Sequence, residues 1–187
     1  MKYSFILFLI AAVAVASCSG KLKRADTKLK PIETPFDKKK YFSDKKFYRA
    51  MGEGRAKDLT VAKRIAETNA RQAIASQIDV QVRSVAEQFL QNRNVSNKLE
   101  TTSKYEDLTR TVIDQTLNQV KIVDQESFQD KKKGDFVHYV AMEMSTTAIQ
   151  SKMEDGISAD DALKQDFELE RFRKIYQEEL DKFKDGR

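Results

Sequence analysis

Apolar residues recur along this chain in three rhythms. The first is a solid block: residues 5 to 16 read FILFLIAAVAVA without a charge, after Lys2 and before Cys18. As a helix those 12 residues reach roughly 18 Å, short of the roughly 30 Å bilayer core and right for the apolar part of an export signal. The second is helical. Leu59, Ala62, Ala66, Ala70, Ala73 and Ile74 fall three or four apart and share one face, with Lys57, Lys63, Arg64, Glu67 and Arg71 on the other. This predicts a long alanine-rich helix that approaches a neighbour closely. Its clean part is expected to end near residue 77. From 78 to 90 the pattern is open, because Ile78, Val82, Val85 and Phe89 continue a helix while Ile78, Val80 and Val82 alternate as in a strand. Residues 91 to 103 are polar and loop-like, and Tyr105, Leu108, Val112 and Leu117 suggest a second helix.

The third rhythm is strand-like. Phe47 to Glu53 is a short strand closed by Gly52 and Gly54. Val120 and Ile122 begin the first arm of a hairpin, a turn follows through Asp130, Lys131, Lys132, Lys133, Gly134 and Asp135, and Phe136 to Met144 is the return arm. Both faces of that arm are largely apolar, so it is expected in the middle of the sheet, antiparallel to the first arm. Residues 145 to 154 read as a short helix capped by Ser145 or Thr146 and stopped near Gly156. Ser158 or Asp160 can cap a last helix whose stripe is Leu163, Phe167, Phe172, Ile175, Tyr176, Leu180 and Phe183. That stripe either packs on its own domain or forms an interface with another chain. The fold class is α+β: a small antiparallel sheet packed by a long alanine-rich helix, with a C-terminal amphipathic helix. Four regions follow: a signal over 1–17, a basic tether over 18–45, an α/β domain over 46–146 and a helical extension over 147–187.

Charge and cysteine usage sharpen the first two regions. The chain carries +5 at neutral pH, with 34% charged and 40% apolar residues, as suits a folded body. The excess is local, since residues 21 to 46 hold ten Lys or Arg against four acids. Pro31 and Pro35 interrupt any helix there, so residues 19 to 40 read as a mostly disordered leash. The export signal and the lack of aromatic–basic interleaving argue against nucleic acid. The single Cys excludes an internal disulfide or a zinc–thiolate site, and the single His excludes a histidine metal cluster.

Chemistry is sparse elsewhere. Gly52-x-Gly54 stands between a strand and a helix as in a dinucleotide loop, but Lys57 occupies the third glycine position. The plain reading is a tight turn where glycine tolerates unusual dihedrals. His138 lies on an apolar strand without a carboxylate on its face, as a core or sheet-surface histidine would. Gly52, Gly54 and His138 are the one place where a ligand could be sought, the alternative being packing. No catalytic set, cofactor motif or metal site emerges.

Two resemblances extend this reading. Val15-Ala16-Ser17-Cys18 resembles the bacterial lipobox, which implies cleavage between Ser17 and Cys18, lipidation of Cys18 and palmitate on its amine. Ser19 in place of Asp implies the outer membrane, and the lack of an acidic run after Cys18 implies its periplasmic face. Gly52-x-Gly54-x-Ala56, Ala62, Ala66, Asn69-Ala70-Arg71, Ala73-Ile74, Ile78, Val80-x-Val82 and Ser84, with the Phe136–Met144 strand, resemble a bacterial envelope lipoprotein family. It is that of the Helicobacter 20 kDa membrane-associated lipoprotein, which includes the flagellar outer-membrane protein FlgP. The resemblance implies a non-catalytic envelope protein held by its lipid that acts in assembly, as a homo-oligomer or with an envelope protein partner. The alternative is a lipid-anchored periplasmic binding module for a small ligand or cell-wall component.

Overall fold

The computed structural model describes residues 34–91 and 98–185. The signal, Ser17 and Cys18, the tether up to Glu33, and residues 92–97 of the polar loop lie outside the described residues.

Strand β1 (Phe47–Ala56) leads into helix α1 (Leu59–Gln91) and helix α2 (Lys98–Thr116). Strands β2 (Lys121–Asp130) and β3 (Asp135–Ser145) form the hairpin. Helices α3 (Thr146–Ala159), α4 (Asp161–Asp166) and α5 (Leu169–Asp181) complete the chain. The sheet order is β1-β3-β2, antiparallel throughout, so the apolar return arm is the central strand. Residue 123 is bulged out of the β2–β3 ladder.

Helix α1 does not end near residue 77. Ile78, Val82, Val85 and Phe89 are at most 1% exposed, whereas Val80 is 66% exposed. The period-two set is split between core and solvent, while the three-to-four stripe is buried entire. Burial along that stripe outweighs the strand preference of its β-branched members. The first half of α1 lies on β1 and β3, and the second half packs with α2 and α5. Helix α2 also starts earlier than its apolar positions suggested, so residues 98–103 are helical rather than loop.

The C-terminal stripe belongs to the chain's own core. Phe167, Phe172, Tyr176 and Leu180 are at most 1% exposed, and Ile175 is buried too. Phe167 stacks on Phe89 at 4.2 Å and on Tyr105 at 5.0 Å between centroids, and the Tyr48 and Tyr176 hydroxyls lie 2.8 Å apart. Of the two alternatives for this stripe, these burials favour packing on its own domain, with Phe183 partly buried against the same core. One core runs from Tyr48 to Leu180, so no packing boundary falls at 146/147. The last helix is also two helices. Asp160 caps α4, its carboxylate accepting from Ala162 N and Leu163 N, and Phe167 breaks the run before α5 begins. Ser145 caps α3, which continues past Gly156 to Ala159.

The tether reading needs correction from residue 34 on. Phe36 adopts φ 68° and is buried with Tyr41 and Ala141 on the sheet face opposite α1, its ring edge-on to Tyr41 at 4.8 Å. The Tyr41 hydroxyl donates to Asp124 Oδ2 at 2.5 Å. Two aromatic rings outweigh the local lysines and lay this segment on the sheet, where burying each contributes about 1.5–3 kcal/mol.

Candidate interaction surface

Gly52 and Gly54 explain how the sheet meets α1. Both lie inside β1, which runs on to Ala56. Neither has a positive φ, so they are not the dihedral-tolerant turn that their spacing suggested. A Cβ on Gly52 would run into the Ala66 carbonyl and lie 2.7 Å from Ala70 N. On Gly54 it would run into the Ala62 carbonyl and lie 2.6 Å from Ala66 N. Glycine on the strand and alanine on the helix let two backbones touch. Gly54 is the register partner of His138, and Gly52 that of Val140. The structure thus brings the three flagged residues together, and α1 fills the space between them rather than leaving a pocket.

His138 is 1% exposed. Its Nδ1 shares a 2.7 Å hydrogen bond with Ser127 Oγ, and Nε2 has no partner among the described residues. Burial, reinforced by Lys63, holds its pKa below the usual imidazole value against a smaller opposing pull from Glu67. It is a neutral core histidine. Ser127 was not foreseen as its partner, although a turn pairing Asp130 with Asp135 places Ser127 opposite His138.

The two outer strands of the sheet are treated very differently. On β1 the Arg49 amide donates to Ser43 Oγ at 2.8 Å, Gln77 Nε2 donates to the Arg49 carbonyl at 3.0 Å, and Asn69 Nδ2 to the Glu53 carbonyl at 2.8 Å. Side chains from α1 and from the entering segment therefore cap that edge. The Arg49 guanidinium bonds Asp44 at 2.6 Å and Glu143 at 3.0 Å. Burial alone would push the Asp44 carboxyl up. The Arg49 bond and the amides of Lys46 and Phe47 outweigh it and hold the pKa below the usual range.

Strand β2 has no such cover. Eight of its ten residues are exposed, only Asp124 and Asp130 being partly buried, so neither face is covered along most of its length. Backbone direction alternates along an antiparallel strand. Arg49 and Glu53 face away from β3, so β3 turns Val137, Tyr139, Ala141 and Glu143 toward β2. Their partners are Phe128, Glu126, Asp124 and Lys121, which leaves Gln125, Ser127 and Gln129 with main-chain groups pointing outward. Asp124 Oδ1 accepts from the Gln125 amide at 3.0 Å. No hydrogen bond among the described residues reaches the outward groups of Ser127 or Gln129. Ile122, Val123 and Phe128 are 43%, 44% and 48% exposed. Phe128, with Val137, Tyr139, Thr34 and Pro35, lines an open hollow of about 450 Å³.

The strand is also acidic, with Asp124, Glu126 and Asp130 against Lys121. The Tyr41 hydroxyl holds the Asp124 pKa below the carboxylate range, and the amides of Lys133 and Lys132 do the same for Asp130. The edge is charged at neutral pH. Sequence reasoning did not flag it. The signal was there: Gln125, Ser127 and Gln129 are polar at the positions where a covered strand would be apolar.

The pattern of the LPP20 lipoprotein family matches residues 33–143, more than half of the chain. The chain belongs to that family. The match takes in the entering segment, the whole of β1, α1, α2 and β2, and most of β3. This LPP20 lipoprotein is a lipid-anchored, non-catalytic protein of the bacterial envelope, associated with the outer membrane. No curated protein and no solved structure matches it. Among the described residues no helix is long and apolar enough to cross a membrane, and no group of His, Cys, Asp and Glu is placed to hold a metal ion.

Proposed function

We propose that this LPP20 lipoprotein is an assembly component of the outer membrane, held on its periplasmic face by lipid on Cys18 after cleavage behind Ser17, and joined to a second copy or an envelope protein through the free edge of β2. The observation that carries this reading is the contrast between the sheet's edges. A bare strand edge is a template for pairing, and folded proteins usually cover, charge or twist it. Here the same fold caps β1 with three side chains, while β2 carries only its charges and the bulge at 123 and leaves the outward main-chain groups of Ser127 and Gln129 uncovered. The exposed Ile122, Val123 and Phe128 add apolar contact beside the main-chain groups. The ligand-binding alternative gains no support, since α1 occupies the space at Gly52, Gly54 and His138.

The test is the mass in detergent of the full-length lipoprotein, by light scattering over a range of concentrations, for wild type and Gln129→Pro. The Gln129 amide faces outward, so proline there blocks pairing and spares the ladder to β3. Wild type is expected above the protomer mass or cross-linked to an envelope protein through a photoreactive residue at 128, and the variant is expected to lose both. A wild type that stays protomeric and gives no cross-link overturns the proposal. In parallel, Cys18→Ala is expected to leave the membrane fraction, because lasting attachment needs the acyl chains.

A further inference from the structure

Side chains on β2 are sorted by charge between the two faces of the sheet. Gln125, Ser127 and Gln129 pair with Val140, His138 and Phe136. Ser127 bonds His138, which feels Lys63 and Glu67 of α1, so this neutral row shares the face that α1 covers. Asp124, Glu126 and Phe128 pair with Ala141, Tyr139 and Val137 and stand on the opposite face, where Tyr41 bonds Asp124 and Phe128 meets Tyr139 edge-on. Asp130 continues that acidic row. A strand added at the edge would lie about 4.8 Å away, with its own side chains directly beside these two rows. Asp124 already accepts from Tyr41, and Asp130 stands 4.0 Å from Arg55. Glu126 is exposed, and among the described residues no hydrogen bond or ion pair reaches it.

Like charge disfavours a second copy at this edge. Consider two β2 strands paired antiparallel, with the outward groups of Gln125, Ser127 and Gln129 meeting one another. Centring the pair on Glu126 sets that carboxylate against itself. Centring it on Ser127 sets Asp124 against Asp130, and centring it on Phe128 sets Glu126 against Asp130. Directly opposed like charges destabilise a strand pair. The acids thus blunt the edge toward its own kind, which is one use of charge on an edge strand. The same row is complementary to a strand that carries bases.

We propose that the edge of β2 accepts an antiparallel strand of a different protein, with Lys or Arg at alternate positions, one of them opposite Glu126, and an apolar residue opposite Phe128. This rests on reading that edge as the site of assembly, and of the two occupants which that reading admits it selects the envelope protein. The outward main-chain groups of Gln125, Ser127 and Gln129 supply the ladder. Phe128, Val137 and Tyr139 line the open hollow of about 450 Å³ that receives the apolar side chain. Register follows from the row itself: a slip by two residues would move a base from a carboxylate onto the Phe128 ring.

The test uses the full-length lipoprotein in nonionic detergent. The probe is the synthetic peptide Lys-Thr-Val-Thr-Lys-Thr-Lys, blocked at both ends, carrying a neutral dye and read by fluorescence anisotropy. One comparison peptide has glutamate for every lysine, and another has proline for the central threonine. The lysine peptide is expected to bind at least about tenfold more tightly than either, a comparison that needs no change in the protein. Gln129→Pro is expected to weaken it by about tenfold or more, since ionic attraction alone would not feel the loss of one amide. Glu126→Lys is expected to narrow or reverse the preference for lysine over glutamate. A lysine peptide that does not bind, or that binds wild type and Gln129→Pro equally, overturns the proposal. If the peptide fails while wild type self-associates and Gln129→Pro abolishes it, this inference falls and the assembly role stands with a second copy as partner.

Discussion

The close approach of α1 to β1 makes a sharp prediction for Gly52→Ala and Gly54→Ala. A Cβ at these sites lies 2.7 Å from Ala70 N and 2.6 Å from Ala66 N, where ordinary contact begins at 3.4 Å. Both obstacles are backbone, and the Ala66 and Ala62 carbonyl oxygens lie closer still, so no side chain can swing away and α1 must retreat by about 1 Å or more. A gap of 0.5–1 Å forfeits about a quarter to a half of the dispersion attraction across it. Ala62, Ala66, Ala70 and Ile74, all buried at 0% exposure, would feel that gap together. Replacing strand glycine by alanine returns only about 0.5–1 kcal/mol. The net loss is expected to be about 3 kcal/mol for each variant, at the upper end of overpacking costs. For a domain of this size that lowers Tm by roughly 6–12 °C. Urea titration and thermal melts followed by circular dichroism measure it. Gly134→Ala is the comparison: its φ is +70° and nothing lies within 4 Å, so it should cost only about 1–2 kcal/mol of left-handed strain. Should Gly52→Ala and Gly54→Ala lose no more than Gly134→Ala, backbone contact is not why those glycines are there.

Three further outcomes are expected. The folded-state pKa of His138 is depressed by burial, so below about pH 6.5 the unfolded chain binds the extra proton and stability falls with pH; His138→Asn should flatten the slope between pH 7.5 and 5.5 in urea titrations, and an unchanged slope would contradict the assignment. Tyr176 donates to the Thr146 carbonyl at 3.2 Å and so accepts from Tyr48 at 2.8 Å; Tyr176→Phe should cost about 1–3 kcal/mol by stranding the Tyr48 hydroxyl, with Tyr48→Phe added on top costing less than its single-variant value, whereas strict additivity would refute the pairing. Removing residues 157–187 should abolish cooperative unfolding, because Phe89 and Tyr105 lose Phe167 and Tyr48 loses Tyr176; a truncated chain that melts sharply would return the C-terminal stripe to the role of an interface.

The parts of the fold that could be read from sequence are those in which one periodicity acts alone. Ala62, Ala66 and Ala70 announce a helix that lies close to its neighbour, and the alternation from Phe136 to Met144 announces a strand covered on both faces. Reading failed where two periodicities overlapped or where the partner was distant. Val80 looked like the middle of a strand until burial separated it from Val82. The aromatic stripe from Phe167 to Leu180 was ambiguous because its partners, Phe89, Tyr105 and Tyr48, lie far away in sequence. Phe36 and Tyr41 were masked by the lysines around them, which dominate composition but not packing. The glycines were found for the wrong reason: their spacing suggested a turn, whereas their function is the missing Cβ. The β2 edge was legible only in negative form, as polar residues where a covered strand needs apolar ones.

Geometry explains why the sheet protects one edge and leaves the other. Neighbouring strands lie about 4.8 Å apart, and a helix with its side chains is about 10–12 Å across. A helix seated on β1, where Gly52 and Gly54 receive it, covers β1 and the adjacent β3 and no more. The third strand lies two spacings from β1, about 10 Å, beyond the flank of α1. Asn69 and Gln77 therefore reach the β1 edge from α1, whereas among the described residues no hydrogen bond runs from that helix to β2. Covering β2 on the same side would take a second helix on the sheet, but α2 and α5 are drawn to the far half of α1 by Phe89, Tyr105 and Phe167. The uninterrupted length of α1 thus settles where the remaining helices go, and by doing so leaves β2 without a helix over it.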